Sequence, residues 1–418
     1  PDMKIVLKIF SVIITTVILC SCGKVSDKIS EEIPDMTLGE QTLEQLDIQS
    51  VTEAPDKQYT PVNFDIQKAM WLTMMDYEYL LKDRTKQEFT DNIKKAYEDM
   101  ISVGINTVYV HVRPFNDVYY DSDMFPRAEY YSEDADYDPL EIMLQEGHSA
   151  GLSVHAWINP LRCQTDSEMQ NTDDKYTIKK WYNDKDKNGT YISQVGDRWY
   201  LNPAYDDVIA YICDGISDIT ENYDVDGIHI DDYFYPTKED SFDAAAFSES
   251  GSDDIEQWRT DNINKMVKSM YKTVRESGSD ILFGISPQGN TESNYSTQYA
   301  DVKKWSAEEG YCDYIVPQIY FGFENESQPF KETVDEWIGL NKCDSVNLVI
   351  GICTYKIGTE DKWAGSGINE WKENEGIPAK QAEYVIEKNL GTAVYSYGST
   401  FDENIKDECE QLGRVLEQ

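Results

Sequence analysis

From residue 69 onward the chain alternates short apolar runs with longer stretches of helical periodicity, and it does so eight times. The runs are AMWLTMMD (69–76), TVYVHVRP (107–114), LSVHAWINP (152–160), DGIHIDDY (226–233), ILFGISPQ (281–288), DYIVPQIYF (313–321), NLVIGICTY (347–355) and TAVYSYGS (392–399). Between them lie patterns such as EFTDNIKKAYEDMISVG and DVIAYICDGISDITENY, whose apolar residues recur at helical spacing. A strand that returns through a helix to the next strand runs parallel to it, so the repeat predicts a parallel sheet with helical crossovers. Eight units in one domain predict an α/β fold, a (β/α)8 TIM barrel with extended βα loops; a doubly wound open sheet is the competing architecture. Gly104, Gly151 and Gly278 follow helical runs and precede strands closely, the position where a helix commonly stops on glycine. The αβ turns are therefore short. The βα side is long and rich in Tyr, Asp, Asn and Pro, as expected where loops carry a site.

Alternate strand residues point into a barrel, and those at the C-terminal ends line its mouth. One parity collects Tyr109, His111 and Arg113 in the second run, and His155, Trp157 and Asn159 in the third. It collects His229 and Asp231 in the fourth, with Asp232 next, then Gln318 and Tyr320 in the sixth, and Tyr395 and Tyr397 in the eighth. The chain has 4 histidines, and three of them fall in this set. A single inward histidine is ordinarily a core residue; three converging ones predict a site. Carboxylates, amides and aromatic rings suit sugar hydroxyls and sugar C–H faces. Glycoside hydrolysis uses two carboxyl groups in most families, one held protonated and one ionised. Asp231 is the candidate acid. Asp232 beside it either raises its pKa or caps a helix. Asp117, in the loop after the second run, is the expected partner carboxylate; Asp76, closing the first run, can equally start a turn. Tyr233 and Tyr235 are expected to form an aromatic lip, with Arg162, Tyr355 and Tyr397 as further substrate-binding residues.

Charge narrows the partners. A net charge of -41 excludes the basic stripe of a nucleic-acid binder, while 29 Tyr and 9 Trp leave aromatics for a carbohydrate surface. The sequence contains no P-loop, dinucleotide fingerprint, serine elbow, EF-hand spacing or C-x-x-C pair, so neither cofactor nor metal is expected. The six cysteines beyond the leader are compatible with free thiols or a disulfide. Before the barrel, with Met3 read as the start, Lys4 and Lys8 precede the apolar run IFSVIITTVIL, the pattern of a secretory signal. Its end, Leu19-Cys20-Ser21-Cys22-Gly23, resembles the lipobox of bacterial lipoproteins, with Cys22 as the acylated residue. An uncleaved anchor or ordinary cleavage is the alternative. Residues 1–22 are thus read as a signal peptide, 23–62 as a flexible acidic linker too polar to fold, and 63–418 as the barrel. The expected location is the bacterial cell envelope, exported and tethered to the membrane by lipid alone. Oligomeric state is not legible.

The segments WLT, NTVYVHVRP, YDPLEIMLQEGHSAGLSVHAWINPLR, YLNP, YDVDGIHIDDYFYP, FGISPQG, DYIVPQIYF and IGICTYKIG stand in the order found in the glycosyl-hydrolase-like family ten, which this chain resembles over about residues 65–400. The resemblance implies a barrel glycosidase, with peptidoglycan glycan strands as the substrate class. It places Arg113, Asp117, His155, Trp157, Asn159, Arg162, Asp231, Asp232, Tyr233, Gln318 and Tyr320 in the matching motifs. Phe115-Asn116 departs from the small residues the family more often has there. The fourth run also partly resembles the chitinase signature D-G-x-D-x-D-x-E, with Gln318 and Tyr320 where chitinases orient an N-acetyl group. That implies a second mechanism, in which the substrate's own acetamido oxygen attacks. The competing functions are a non-catalytic carbohydrate-binding lipoprotein and a hydrolase of another polysaccharide.

Overall fold

The computed structural model describes residues 59–418, and in it all eight runs become strands of one closed parallel barrel. They are β1 (Lys68–Leu72), β2 (Thr107–Arg113), β3 (Ser153–Ile158), β4 (Gly227–Ile230), β5 (Leu282–Ile285), β6 (Tyr314–Ile315), β7 (Asn347–Cys353) and β8 (Gly391–Tyr395). Each pairs with its neighbour in the chain, and β8 closes on β1 through Lys68–Thr392, Ala69–Ala393 and Met70–Val394. The open-sheet alternative is therefore excluded. The leader, Cys22 and residues 23–58 lie outside the described residues. Tyr59–Val62, assigned by the sequence reading to the linker, pack on the barrel instead. The reason is Asp226, a fully buried carboxylate just before β4, which accepts the Tyr59 hydroxyl at 2.5 Å and the Val62 N–H at 2.6 Å. A buried carboxylate needs such donors.

The two strand faces divide by chemistry. Val108, Val110, Val112, Val154, Ile228, Ile230, Phe283 and Ile285 point outward into the main core against the helices. Inward, Trp71, Tyr109, Trp157 and Tyr314 form a second, largely aromatic core with small partners such as Ala69 and Ala393. Rings fit because two inward positions are glycine. A Cβ at Gly284 would lie 1.8 Å from the Tyr314 ring, and one at Gly227 would lie 2.5 Å from His155 Nδ1.

Polar caps start the crossover helices. Thr85 forms a reciprocal capping box with Glu88 at helix Lys86–Ser102, and Asp138 and Asp254 cap helices Pro139–Ser149 and Ile255–Ser277. At the other ends, Gly104 and Gly151 take positive φ as expected, whereas Gly278 is extended at φ 176. One element was not foreseen. Between β3 and β4, the segments Arg162–Thr165, Ile192–Val195 and Arg198–Leu201 form a three-stranded antiparallel sheet beside the mouth. Strands of four residues are too short to show a period. All six cysteines of the described residues are free thiols. No helix among the described residues is long and apolar enough to cross a membrane.

Candidate active site

The strands end earlier than the apolar runs do, and the polar residues left over turn into the mouth of the barrel. They enclose a cleft of about 890 Å³. Asp231 and Asp232 stand side by side in its lining, immediately past β4. Asp231 is 4% exposed. Burial first, and the adjacent Asp232 second, push its carboxyl up to about 7. Asn159 Nδ2 donates to Asp231 Oδ1, and Asn159 Oδ1 meets His111 Nε2 at 2.6 Å. The amide oxygen can only accept, so His111 carries its proton on Nε2. Burial lowers the His111 pKa to about 3, which keeps the ring neutral and its Nδ1 an acceptor. Its ring lies flat on Trp157, with centroids 3.6 Å apart. Asp232 accepts from Gln318 Nε2 at 3.3 Å, and Gln318 is anchored by a second bond to the Ser286 carbonyl at 3.0 Å. Burial raises the Asp232 carboxyl as well.

The remaining walls are aromatic. Trp71, Tyr320, Tyr355 and Tyr395 line one side, and Phe115 and Tyr233 flank Arg162 on another. Of the expected site residues, His111, Trp157, Arg162, Asp231, Asp232, Tyr233, Gln318, Tyr320 and Tyr355 all line the cleft, and Asn159 stands directly behind Asp231.

Six expected residues lie elsewhere, each for a stated reason. Arg113 shares parity with His111, but a bulge in the β2–β3 pairing between His111 and Arg113 turns it outward. It lies under helix Asp206–Asn222, where a Cβ on Gly215 would meet its guanidinium at 2.1 Å. His155 and His229 face inward, but below the cleft, both fully buried. Trp71 Nε1 donates to His229 Nε2 at 3.2 Å, and Tyr314 bridges the two histidines through its hydroxyl, 3.0 Å from His229 Nδ1 and 2.7 Å from His155 Nδ1. Ser153 completes the chain at His155 Nε2, 3.0 Å away. Tyr235 has left the strand and turns into the core, where its hydroxyl donates to Asp243, itself held by Arg259. Tyr397 begins a short helix after β8 and reaches Asp99 at 3.4 Å. Asp117 opens on a separate hollow with Arg127, Gln164 and Glu168, behind Phe115. Burial raises its carboxyl to about 7, but it is not the second carboxylate of this cleft. Asp76 does line the cleft, with both oxygens engaged: Thr73 donates twice to Oδ2 and Tyr79 to Oδ1.

Trp71, Met75, Tyr79 and Ser399 also line the cleft and were not foreseen. Trp71 was within reach, since it shares inward parity with Ala69. Among the described residues, no group of three or more His, Cys, Asp or Glu side chains is arranged to hold a metal ion.

This arrangement presents a carboxyl whose pKa is raised by burial, a second carboxyl beside it and stacking rings in one cleft. A model of the family described as Glycosyl hydrolase-like 10 matches residues 67–365. The chain belongs to the glycosyl hydrolase-like 10 family. Within reach of this family lies a curated relative named glycosyl hydrolase YngK, from Bacillus subtilis (strain 168). It is 33% identical over 299 residues, covering 65% of this chain and 56% of that protein. The chain thus spans just over half the length of that relative. Glycosyl hydrolase DigH from Escherichia coli (strain K12) is 29% identical over 304 residues, covering 66% of this chain and 67% of that protein. The barrel of this family member also superposes on solved structures. The PgaB (BpsB) glycoside hydrolase domain from Bordetella bronchiseptica matches with a TM-score of 0.56 at 12% identity, over 84% of this chain and 99% of that one. Alpha-L-fucosidase isoenzyme 2 from Paenibacillus thiaminolyticus matches with a TM-score of 0.54 at 11% identity, over 84% of this chain and 49% of that one. At such identities the likeness speaks for the fold alone.

Proposed function

We propose that the chain is a glycoside hydrolase of cell-envelope glycan, with Asp231 as general acid. The observation that carries this is the Asp231–Asp232 pair in an aromatic cleft, with the Asp231 carboxyl pushed up to about 7, so that a large share of it keeps its proton near neutrality. In this reading Asp231 gives its proton to the glycosidic oxygen as the bond to the anomeric carbon breaks. The leaving sugar departs with a free hydroxyl. Asp232, ionised, stabilises the positive charge on the ring and draws a proton from the water that completes hydrolysis. Asn159, fixed by His111, holds Asp231 in position.

A second reading of the mechanism has its own support. Asp231 and Asp232 are consecutive residues at one strand end, and the other cleft aspartate, Asp76, already accepts three hydrogen bonds. A free carboxylate facing the pair from another strand is missing among the described residues of the cleft. This favours attack by an acetamido oxygen of the substrate, which requires only one protein acid. The relatives named glycosyl hydrolase support cleavage of a glycosidic bond, and the motif resemblance alone supports peptidoglycan glycan strands as the substrate. The lipobox-like Leu19–Gly23 supports a lipid anchor at Cys22 on an exported protein. The test is release of reducing ends from purified glycan strands. Activity lost in Asp231→Asn supports hydrolysis; glycan binding without release by the wild type would make the protein a carbohydrate-binding lipoprotein instead.

A further inference from the structure

Of the 9 tryptophans in the chain, Trp363 alone is exposed, at 89%, whereas Trp71, Trp305, Trp337 and Trp371 are fully buried. A bare indole forgoes the burial that ordinarily stabilises this side chain. The turn beneath it is firmly tied. Asp361, itself buried, accepts the Trp363 backbone N–H at 3.3 Å through Oδ1 and the Lys356 ammonium at 2.7 Å through Oδ2. Ala364 is buried as well, and its carbonyl accepts the Glu326 N–H at 3.0 Å from the neighbouring loop. The Glu326 carboxylate in turn accepts the Ser366 N–H at 3.1 Å. The ring is thus presented to solvent by a turn anchored on both sides of it.

Exposed aromatic side chains are also confined to one face of the barrel. Among the described residues they are Tyr79, Tyr233, Tyr295, Tyr355 and Trp363, and each follows the C-terminal end of a strand: β1, β4, β5 and, for the last two, β7. Tyr79, Tyr233 and Tyr355 line the cleft, while Tyr295 and Trp363 lie outside it. Lys356, the residue after Tyr355, links the turn of Trp363 to the cleft wall. Its ammonium donates to Asp361 and also to the carbonyl of Tyr320, a cleft residue, at 2.7 Å.

We propose that Trp363 is a sugar-stacking subsite outside the cleft, so that the protein holds long glycan strands more tightly than short ones. It rests on the reading of the cleft as a glycan site and extends that site past the rim on the β7 side. An indole face takes the C–H face of a sugar ring and needs no charge to do so. A lipid surface also attracts exposed aromatics, but charge argues against it: anionic headgroups draw basic segments, and this chain carries a net charge of -41.

The test is binding, measured separately from turnover. Peptide-free glycan strands, separated into tetrasaccharides and long chains, are titrated calorimetrically into the intact chain. The wild type should bind the long chains more tightly, and Trp363→Ala should shrink that long-to-short ratio by roughly 3- to 10-fold. Trp363→Phe should keep part of it. A Trp363→Ala protein, folded by circular dichroism, that retains the ratio overturns the proposal, as does a wild type that binds both lengths alike. Vesicles of phosphatidylethanolamine and phosphatidylglycerol form the second arm, and neither protein should bind them; vesicle binding lost in Trp363→Ala would assign the ring to a membrane instead. Binding of no glycan at any length fails the proposed function and this subsite together. A length preference that depends on Trp363, with no reducing ends released, supports the subsite and fails hydrolysis alone.

Discussion

Two polar layers lie one above the other inside this barrel, offset by two positions on β3 (His155 below Trp157) and on β4 (His229 below Asp231), with Trp71 reaching both. In the lower layer, Trp71, His229, Tyr314, His155 and Ser153 form one chain in which every ring nitrogen of both histidines has a partner. In the upper layer, His111 Nδ1, Trp157 Nε1, the Tyr320 hydroxyl and Arg162 Nε are buried with no partner among the described residues. An unsatisfied buried polar atom costs about 1–3 kcal/mol, and a ligand in the cleft could offset that cost at these four. The lower layer holds the barrel together. The upper layer lines the cleft.

The largest test of this division is chemical. Asp231→Asn should lower kcat by ~10²–10⁴-fold, the usual contribution of a positioned general acid, with the fold intact by circular dichroism. A smaller loss would move the acid role to Asp232. The same carboxyl sets a pH limb: kcat/KM should fall as pH rises through about 7, where Asp231 loses its proton. Stability should follow the same group. Its folded pKa lies above the ordinary 3.8, so the stabilising effect of its proton is complete below that pH and is lost as pH rises through 7. Asp231→Asn, which cannot ionise, should therefore gain in melting temperature over the wild type between pH 4 and pH 8.

Tyr314→Phe tests the lower layer. It removes the hydroxyl that bridges His229 and His155 and should cost about 1–3 kcal/mol in denaturant unfolding while KM stays unchanged. A KM effect would place the histidines in the site after all. At the rim, Tyr355→Ala removes a ring that is 46% exposed. It should raise KM by roughly 2- to 10-fold and change stability by less than about 0.5 kcal/mol. Asp117→Asn should have the smallest effect, leaving kcat within about twofold, as expected for a residue outside the cleft. A loss comparable to that of Asp231→Asn would restore Asp117 as the partner carboxylate.

The particular residues show how far parity carries. It correctly separates inside from outside for His111, Trp157, His155 and His229, because successive side chains on a strand alternate faces. It carries no information on depth, so His155 and His111 look alike in sequence and differ only once the barrel closes and Tyr314 crosses from β6. Parity also fails wherever the ladder does. The bulge at His111/Arg113 reverses Arg113, and past the strand ends Tyr235 and Tyr397 follow their loops rather than the pleat.

By itself, then, the sequence determined the eightfold strand–helix alternation, the inward aromatic and histidine faces, and the placement of Asp231 and Asp232 at a strand end. All three depend on local periodicity, which is written residue by residue. Only the tertiary structure decided which polar groups are completed and which are left open, and that Asp117 faces away while Arg162 is clamped between rings with its edge free. Those outcomes depend on partners 47 to 159 positions away, brought together by barrel closure rather than by any pattern along the chain.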